Sequence, residues 1–391
     1  MKRKTLILIF VIILILSFFI YYSFGEKGKL ISPLGNTPKE KPLDKYTFEN
    51  LRKANFKPSE ITIGKLLKEE NGFNSYMFYY KVKDEKGPLS ARFAARRARQ
   101  VSGLINLPNK EGIYPVIVML RGYVDREKYT TGEGTRWSAE EIAAPPAGGG
   151  FITLAPDFLG YGESDKPSSN SIEERFQTYT TALTLLASVK NLNKTLDHQC
   201  HADQALTDSA SPKIREEIPK QVRDDDNKVQ DYNLCNIKSD AEKVGIWGHS
   251  NGGHIALSIL AISGKNYPTV LWAPVSKPFP YSILYFTDEF DDHGKALRRA
   301  VADFEKDYDI EKYSPTNYLS WINSPIQLHQ GESDESVPLR WSDQLNQELK
   351  KLNKDITYYT YFGENHNFNN GSWGLAIQRS INFYNEKLRN P

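Results

Sequence analysis

Val244-Gly245-Ile246-Trp247-Gly248-His249-Ser250-Asn251-Gly252-Gly253-His254-Ile255-Ala256-Leu257-Ser258 is the stretch on which the fold turns. Residues 244–247 form a short apolar run that reads as a buried strand, and 253–262 have the length and composition of a buried helix. Between them stands Gly-His-Ser-Asn-Gly, a G-x-S-x-G pattern. A strand, a sharp turn and a helix in immediate succession lift a serine hydroxyl above the edge of a sheet. The glycines let the turn pack tightly. The Asn251 backbone N–H and the helix N-terminus are then aimed at the place where an oxyanion would develop. Ser250 is the candidate nucleophile, and Asn251 a candidate oxyanion donor.

A serine hydroxyl attacks a carbonyl only when a base takes its proton, and the base needs an acid to orient it. After a nucleophile of this kind the acid and then the histidine follow in chain order. Past the run Ile326-Gln327-Leu328-His329-Gln330 comes Gly331-Glu332-Ser333-Asp334-Glu335-Ser336-Val337-Pro338. Asp334 falls just beyond the predicted strand end and is the candidate acid, with Glu332 and Glu335 as alternatives. After a second predicted strand, 356–362, the loop Gly363-Glu364-Asn365-His366-Asn367-Phe368 carries the last histidine of the chain, the candidate base. His198 and His201 precede the serine. His249 lies inside the turn, His254 on the following helix, His293 in an insertion and His329 within a strand. A second oxyanion donor is expected from Arg121-Gly122-Tyr123-Val124-Asp125, the loop after the predicted strand 114–120. There Gly122 permits close approach, and Tyr123 offers its N–H or its phenol. Arg121 braces the loop in the alternative reading.

Outward from these motifs, strands and helices alternate. Strands are expected at 76–82, 101–107, 114–120, 151–155, 244–247, 269–272, 326–330 and 356–362, and helices at 172–191, 253–262, 341–352 and 373–388. The pattern predicts an α/β architecture with a mostly parallel central sheet covered by helices on both faces. Two insertions interrupt it. Residues 192–240 are polar. Residues 274–323 are rich in aromatics (Phe279, Tyr281, Tyr285, Phe286, Phe290) and read as a cap over the strand ends, where open α/β sheets bind ligands.

The near balance of 50 basic and 48 acidic residues asks for no nucleic-acid partner. Met1-Lys2-Arg3-Lys4 precedes an uncharged apolar run over 5–24, long enough to cross a hydrocarbon core of about 30 Å. The basic cluster predicts a single-pass signal-anchor in the lipid bilayer, with the N-terminus cytoplasmic and the remainder outside. A cleaved signal peptide is the rival, although the run ends Tyr21-Tyr22-Ser23-Phe24, without the small residues a cleavage site prefers. Residues 25–44 then read as a linker, 45–100 as a lead-in and 101–391 as the main domain. Cys200 and Cys235 suit an exported protein that joins them in a disulfide. His198, Cys200, His201 and Asp203 match no standard zinc spacing, so no metal is expected. Asp288, Glu289, Asp291 and Asp292 read as a solvated acidic turn, the sharper alternative being a grip on a substrate amine.

The serine turn, the acid loop and the histidine loop together resemble the α/β-hydrolase superfamily. The likeness extends more closely to the catalytic domain of prolyl oligopeptidase-like (S9) peptidases and to dienelactone-hydrolase-like esterases. Asp157-Phe158-Leu159-Gly160-Tyr161-Gly162-Glu163-Ser164 is similar to the superfamily's D-x-x-G-x-G-x-S segment. The resemblance covers 101–388 and implies acyl transfer from a small acyl, ester or peptide substrate, without a cofactor. It names no substrate. Roughly 75 residues separate the predicted anchor from the predicted core, too few for the β-propeller that S9 peptidases carry. Oligomeric state is not written in these motifs.

Overall fold

The computed structural model describes residues 40–83, 98–144, 150–198, 200 and 236–389. The chain divides into a short unit, Met1–Lys41, and a body, Pro42–Pro391; the description below concerns the body.

Apolar runs with period-two alternation build the strands. In β4 (Gly112–Leu120), Val116 and Val118 face one hydrophobic cluster while Ile117 and Met119 face the other, so the strand is buried on both sides. The other strands are β1 (Thr62–Glu70), β2 (Phe73–Val82), β3 (Arg99–Pro108), β5 (Ile152–Pro156), β6 (Ile237–His249), β7 (Thr269–Trp272), β8 (Ile326–Gly331) and β9 (Ile356–Tyr361). They form a nine-stranded sheet in the order β1-β2-β3-β5-β4-β6-β7-β8-β9. From β5 through β9 all neighbours are parallel, and the first three strands add antiparallel pairings at one edge.

Helices cover both faces. One is packed by α1 (Phe48–Lys53), α3 (Ser171–Ser188) and α4 (Asn251–Ser263), whose Phe48, Phe176 and Ile255 join the larger cluster. On the other, α2 (Arg136–Ala143) and α7 (Trp373–Tyr384) bring Ile142 and Ile381 against Trp247 and Val270. Two further helices are α5 (Lys295–Glu305), in the 274–323 insertion, and α6 (Leu339–Lys351), after β8. This is the α/β-hydrolase fold. From β4 the chain crosses to β5 on one side and later returns to β6 on the other. The carboxyl ends of β4 and β6 therefore flank a topological switch point, the usual crevice for a ligand in open α/β sheets.

The structure departs from the sequence reading in places with physical causes. β6 begins at Ile237, seven residues before the expected strand, because its first half is polar and only alternate residues such as Ile237 and Ser239 are buried. A register shift after Pro115 then sets Val116 opposite Val244. The lead-in supplies β1 and β2 to the same sheet. β1 is an exposed edge strand bearing Lys65, Lys68, Glu69 and Glu70, charges that discourage edge-to-edge pairing and hide the strand from a hydrophobicity reading. The helix expected over 172–191 is α-helical through Ser188 and closes in a 3-10 turn, Val189–Asn191.

Cys200 is buried and disulfide-bonded; its predicted partner Cys235 lies outside the described residues, as do His201 and Asp203. Among the described residues no helix is long and apolar enough to cross a membrane. The predicted anchor over 5–24 lies outside them.

Candidate active site

Ser250 sits between β6 and α4 with φ 56° and ψ −122°, a left-handed backbone that costs a non-glycine residue of order 1–3 kcal/mol. Three backbone hydrogen bonds hold it there. Ser250 N–H donates to Trp272 O at 2.9 Å, and its own carbonyl accepts from Gly253 N at 3.0 Å and Val275 N at 2.9 Å. A Cβ at Gly252 would lie 1.9 Å from the Leu120 carbonyl oxygen, so the turn closes against β4 only with glycine there. The tight packing expected of the motif's glycines is what the turn shows.

The loops after β8 and β9 bring Asp334 and His366 together. His366 Nδ1 lies 2.9 Å from Asp334 Oδ2 and 3.1 Å from Oδ1. Asp334 Oδ1 also accepts from Ser336 N at 2.9 Å and Val337 N at 2.7 Å, and Oδ2 accepts from Gln330 Nε2 at 2.8 Å. Gln330 is fixed in turn by Ser342 Oγ, which donates to its Oε1 at 2.7 Å. Burial alone would raise the Asp334 pKa. The hydrogen bond and charge of His366, with the two N–H donors, outweigh it and hold the carboxyl below its ordinary range. Neither alternative acid touches the ring: Glu332 is exposed, and Glu335 accepts the backbone N–H of His366 at 3.3 Å. Buried Glu364 accepts from Asn370 N and Ser372 N, which shapes the histidine loop.

The serine turn and the histidine loop are tied through His249. Its Nε2 is 3.0 Å from the His366 carbonyl oxygen, and the two rings lie 4.6 Å apart between centroids. Desolvation and the neighbouring His366 pull the His249 pKa down to about 3. The ring is therefore neutral and donates to that carbonyl. Among the described residues no hydrogen bond joins the Ser250 hydroxyl to His366; serine–base contacts are often long without substrate. His254 is buried between Val275 O and Tyr179 Oη, and His329 between Gln327 and Tyr361. Burial pulls both pKa values down to about 3, so both rings are neutral packing elements.

The loop after β4 meets the serine as expected. A Cβ at Gly122 would stand 2.9 Å from the Ser250 Cβ. Tyr123 is 75% exposed and lines a cavity beside the turn. Arg121 braces this loop. Its guanidinium donates to Gly122 O and Asp157 O and lies 3.9 Å over the Tyr161 ring, with Tyr129 and Phe158 also within cation–π range. Asp157 is itself buried and accepts from Ser102, Tyr129 and Thr131. Asp157 and Gly162 of the D-x-x-G-x-G-x-S segment thus anchor the neighbouring loop: a Cβ at Gly162 would fall 2.3 Å from Asp157 Oδ2.

Two cavities flank the turn. One of about 580 Å³ is lined by Gly122, Tyr123, Asn251, Arg175 and, from the insertion, Leu297. The other, of about 690 Å³, lies on the histidine side and is lined by His249, Asn367, Asn369 and Trp373. The insertion otherwise packs on the body. Phe279 is buried against Phe176 and Phe304, and Tyr285 and Phe286 meet Trp341 edge-on. Two residues of the acidic turn serve its own structure: Asp288 pairs with Arg298, and Asp292 accepts the N–H groups of Gly294 and Ala296 at the start of α5. The side chain of Glu289 lies outside the described residues. Among those residues no group of His, Cys, Asp and Glu could hold a metal ion.

The sheet order and the strand–turn–helix at Ser250 give this chain the α/β-hydrolase fold. A family model described as the prolyl oligopeptidase family of S9 peptidases matches residues 213–390, and with the fold it supports a serine hydrolase. The chain is similar to an uncharacterized peptidase, YtmA, of Bacillus subtilis, 27% identical over 136 residues, or 34% of this chain. That match spans half the length of the relative. Among solved structures it is similar to acetyl xylan esterase 1 from Thermoanaerobacterium sp., with 15% identity, a TM-score of 0.46, and coverage of 90% of this chain and 96% of that one. A putative dipeptidyl aminopeptidase IV from Bacteroides ovatus matches at 12% identity and TM-score 0.43, over 84% of this chain and 36% of its own.

Two features of the site had no motif to announce them: the His249 link and Arg175. The second had a weak signal. Ser171, Glu174, Arg175 and Thr178 fall at i, i+3, i+4 and i+7, a polar stripe on an otherwise buried helix, and all four line the same cavity.

Proposed function

We propose that this protein hydrolyses a peptide or ester bond through an acyl-enzyme formed on Ser250. His366 takes the hydroxyl proton as Ser250 Oγ attacks the carbonyl and later gives it to the leaving group. Asp334 fixes the ring through Nδ1 and stabilises the imidazolium. The Asn251 and Tyr123 N–H groups donate to the tetrahedral oxyanion. Water, activated by the same histidine, then releases the acyl group. The observation that carries the reading is the Asp334–His366 pair at 2.9 Å beside a serine held at φ 56° over a topological switch point. The N-terminal segment, residues 1–24, is proposed to hold the enzyme in a membrane with its catalytic domain outside the cytoplasm. The basic residues before its apolar run support this orientation.

The S9 family match and the similarity to a Bacillus peptidase favour a peptidase. One observation favours an ester instead: two of the four acidic residues that could grip a peptide amine, Asp288 and Asp292, are engaged with Arg298 and the start of α5. Steady-state hydrolysis of aminoacyl 4-nitroanilides and of short-chain 4-nitrophenyl esters by the full chain in detergent micelles separates the two. A peptidase cleaves an anilide with kcat/KM above about 10⁴ M⁻¹s⁻¹, and an esterase cleaves only the esters. No turnover of either, with a Ser250 that reacts with no acylating agent, would leave the fold as a binding scaffold and remove the proposal.

A further inference from the structure

We propose that Arg175 selects substrates whose acyl portion carries a carboxylate. This deepens the acyl-transfer reading above and rests on it. Arg175 stands on α3 and lines the 580 Å³ cavity together with Gly122, Tyr123 and Asn251. No residue of the acid or histidine loops lines that cavity, whereas His249, Asn367 and Asn369 line the second one. In acyl transfer the histidine protonates the leaving group while the oxyanion donors hold the carbonyl. The leaving group therefore belongs on the histidine side, and the acyl portion in the cavity that Arg175 overlooks.

The wall also carries the exposed carboxylates of Asp125 and Glu127, but its other guanidinium groups are engaged. Arg126 pairs with Glu174, and Arg121 is spent on two backbone carbonyls under three aromatic rings. Among the described residues the Arg175 guanidinium makes one hydrogen bond, from Nη1 to the neutral Asn251 Oδ1 at 3.3 Å, and no ion pair. A guanidinium offers five donors in a planar fork that matches a carboxylate with two parallel hydrogen bonds. Its surroundings are dry enough that desolvation pulls its pKa down, against the attraction of Tyr179 and Glu174. A cation in that condition gains most from an anion delivered by a ligand. Ester or amide derivatives of dicarboxylic acids, with a free carboxylate at the far end of the acyl chain, supply it.

The test uses the full chain in detergent micelles. The probes are 4-nitrophenyl hydrogen adipate and its neutral methyl ester, with Ser250→Ala protein as background. The expected result is a kcat/KM ratio, anionic over neutral, of about 10 or more. That ratio falls by roughly 10- to 100-fold in Arg175→Gln and is partly restored in Arg175→Lys. Loss common to both substrates cancels in the ratio. A wild-type ratio near 1 overturns the proposal. So does an Arg175→Gln enzyme that loses both activities equally, which would make Arg175 a support for Asn251 alone. A second arm does not depend on turnover. Calorimetric binding of ethyl hydrogen adipate to Ser250→Ala should exceed that of diethyl adipate by about 10-fold, and Arg175→Gln should abolish the difference. If the chemistry assigned to Ser250 fails, this arm still reads Arg175. Equal binding of the two esters overturns the inference while leaving the acyl-transfer reading in place.

Discussion

The two sides of Ser250 are built on different terms. On the histidine side, position comes from short loops whose backbones are pinned at several points. Asp334 accepts four hydrogen bonds, the serine turn is held by three, and His249 ties the turn to the histidine loop. On the α3 side the wall is made by side chains from separate segments, and Arg175 reaches it with a single long hydrogen bond. Reacting groups must be held to a fraction of an ångström, so the chain over-determines them locally. A wall that selects among substrates is assembled by tertiary packing, and its residues can differ without disturbing the turn.

Substitutions test how far that division holds. The largest effect should follow Ser250→Ala, which removes the proposed nucleophile and should lower kcat/KM by roughly 10⁴- to 10⁶-fold, near the uncatalysed background. Asp334→Asn should cost about 10⁴-fold, because the amide fixes the wrong tautomer of His366. It should also change stability with pH. The Asp334 pKa is depressed in the folded state, so its stabilisation is complete above the ordinary carboxylate pKa of about 4 and is lost as pH falls through the lower folded value. Denaturant midpoints across the acid range should fall less steeply in Asp334→Asn than in the wild type.

Gly122→Ala should come next, at about 10²-fold in kcat, since the new methyl would press on the Ser250 Cβ and shift the oxyanion loop. If Gly122→Ala is neutral, the loop after β4 is not a wall of the site. Arg121→Met keeps much of the side-chain volume but removes the charge stacked on Tyr161. It should lower kcat by about 10-fold with a stability loss of about 2 kcal/mol, read by steady-state kinetics and urea melts. The smallest effect should be that of Asn170→Ala, which removes the cap accepting from Ile172 N and Glu173 N at the start of α3. About 1 kcal/mol of stability should go, with a modest fall in selectivity on the Arg175 side.

The same division decides what could be read from the sequence. The strand–turn–helix, the acid loop and the histidine loop were legible because each is a local signature: a glycine where a Cβ cannot fit, or a polar loop directly after an apolar strand. β7 was legible to the residue, over Thr269–Trp272, because it is apolar throughout and bounded by Pro268 and Ala273-Pro274. β1 and the first half of β6 were not, since their charged residues face solvent, and the first half of β6 is paired with the sequence-distant β4. His249 acts through His366, a partner far away in sequence, and nothing in its own neighbourhood announces that link. The insertion over 274–323 was legible as a cap only in outline. It contributes Leu297 to the cavity wall, but its aromatics are mostly spent on packing against α6 and α3.

The central claim, an activated serine at position 250, is tested most directly by covalent labelling. The full chain in detergent micelles would be treated with a fluorophosphonate probe, beside Ser250→Ala and Asp334→Asn, and the labelled peptide mapped by mass spectrometry. The account predicts one adduct, on Ser250, absent in Ser250→Ala and formed far more slowly in Asp334→Asn. Labelling of a folded Ser250→Ala protein at the wild-type rate would place the nucleophile elsewhere and contradict it.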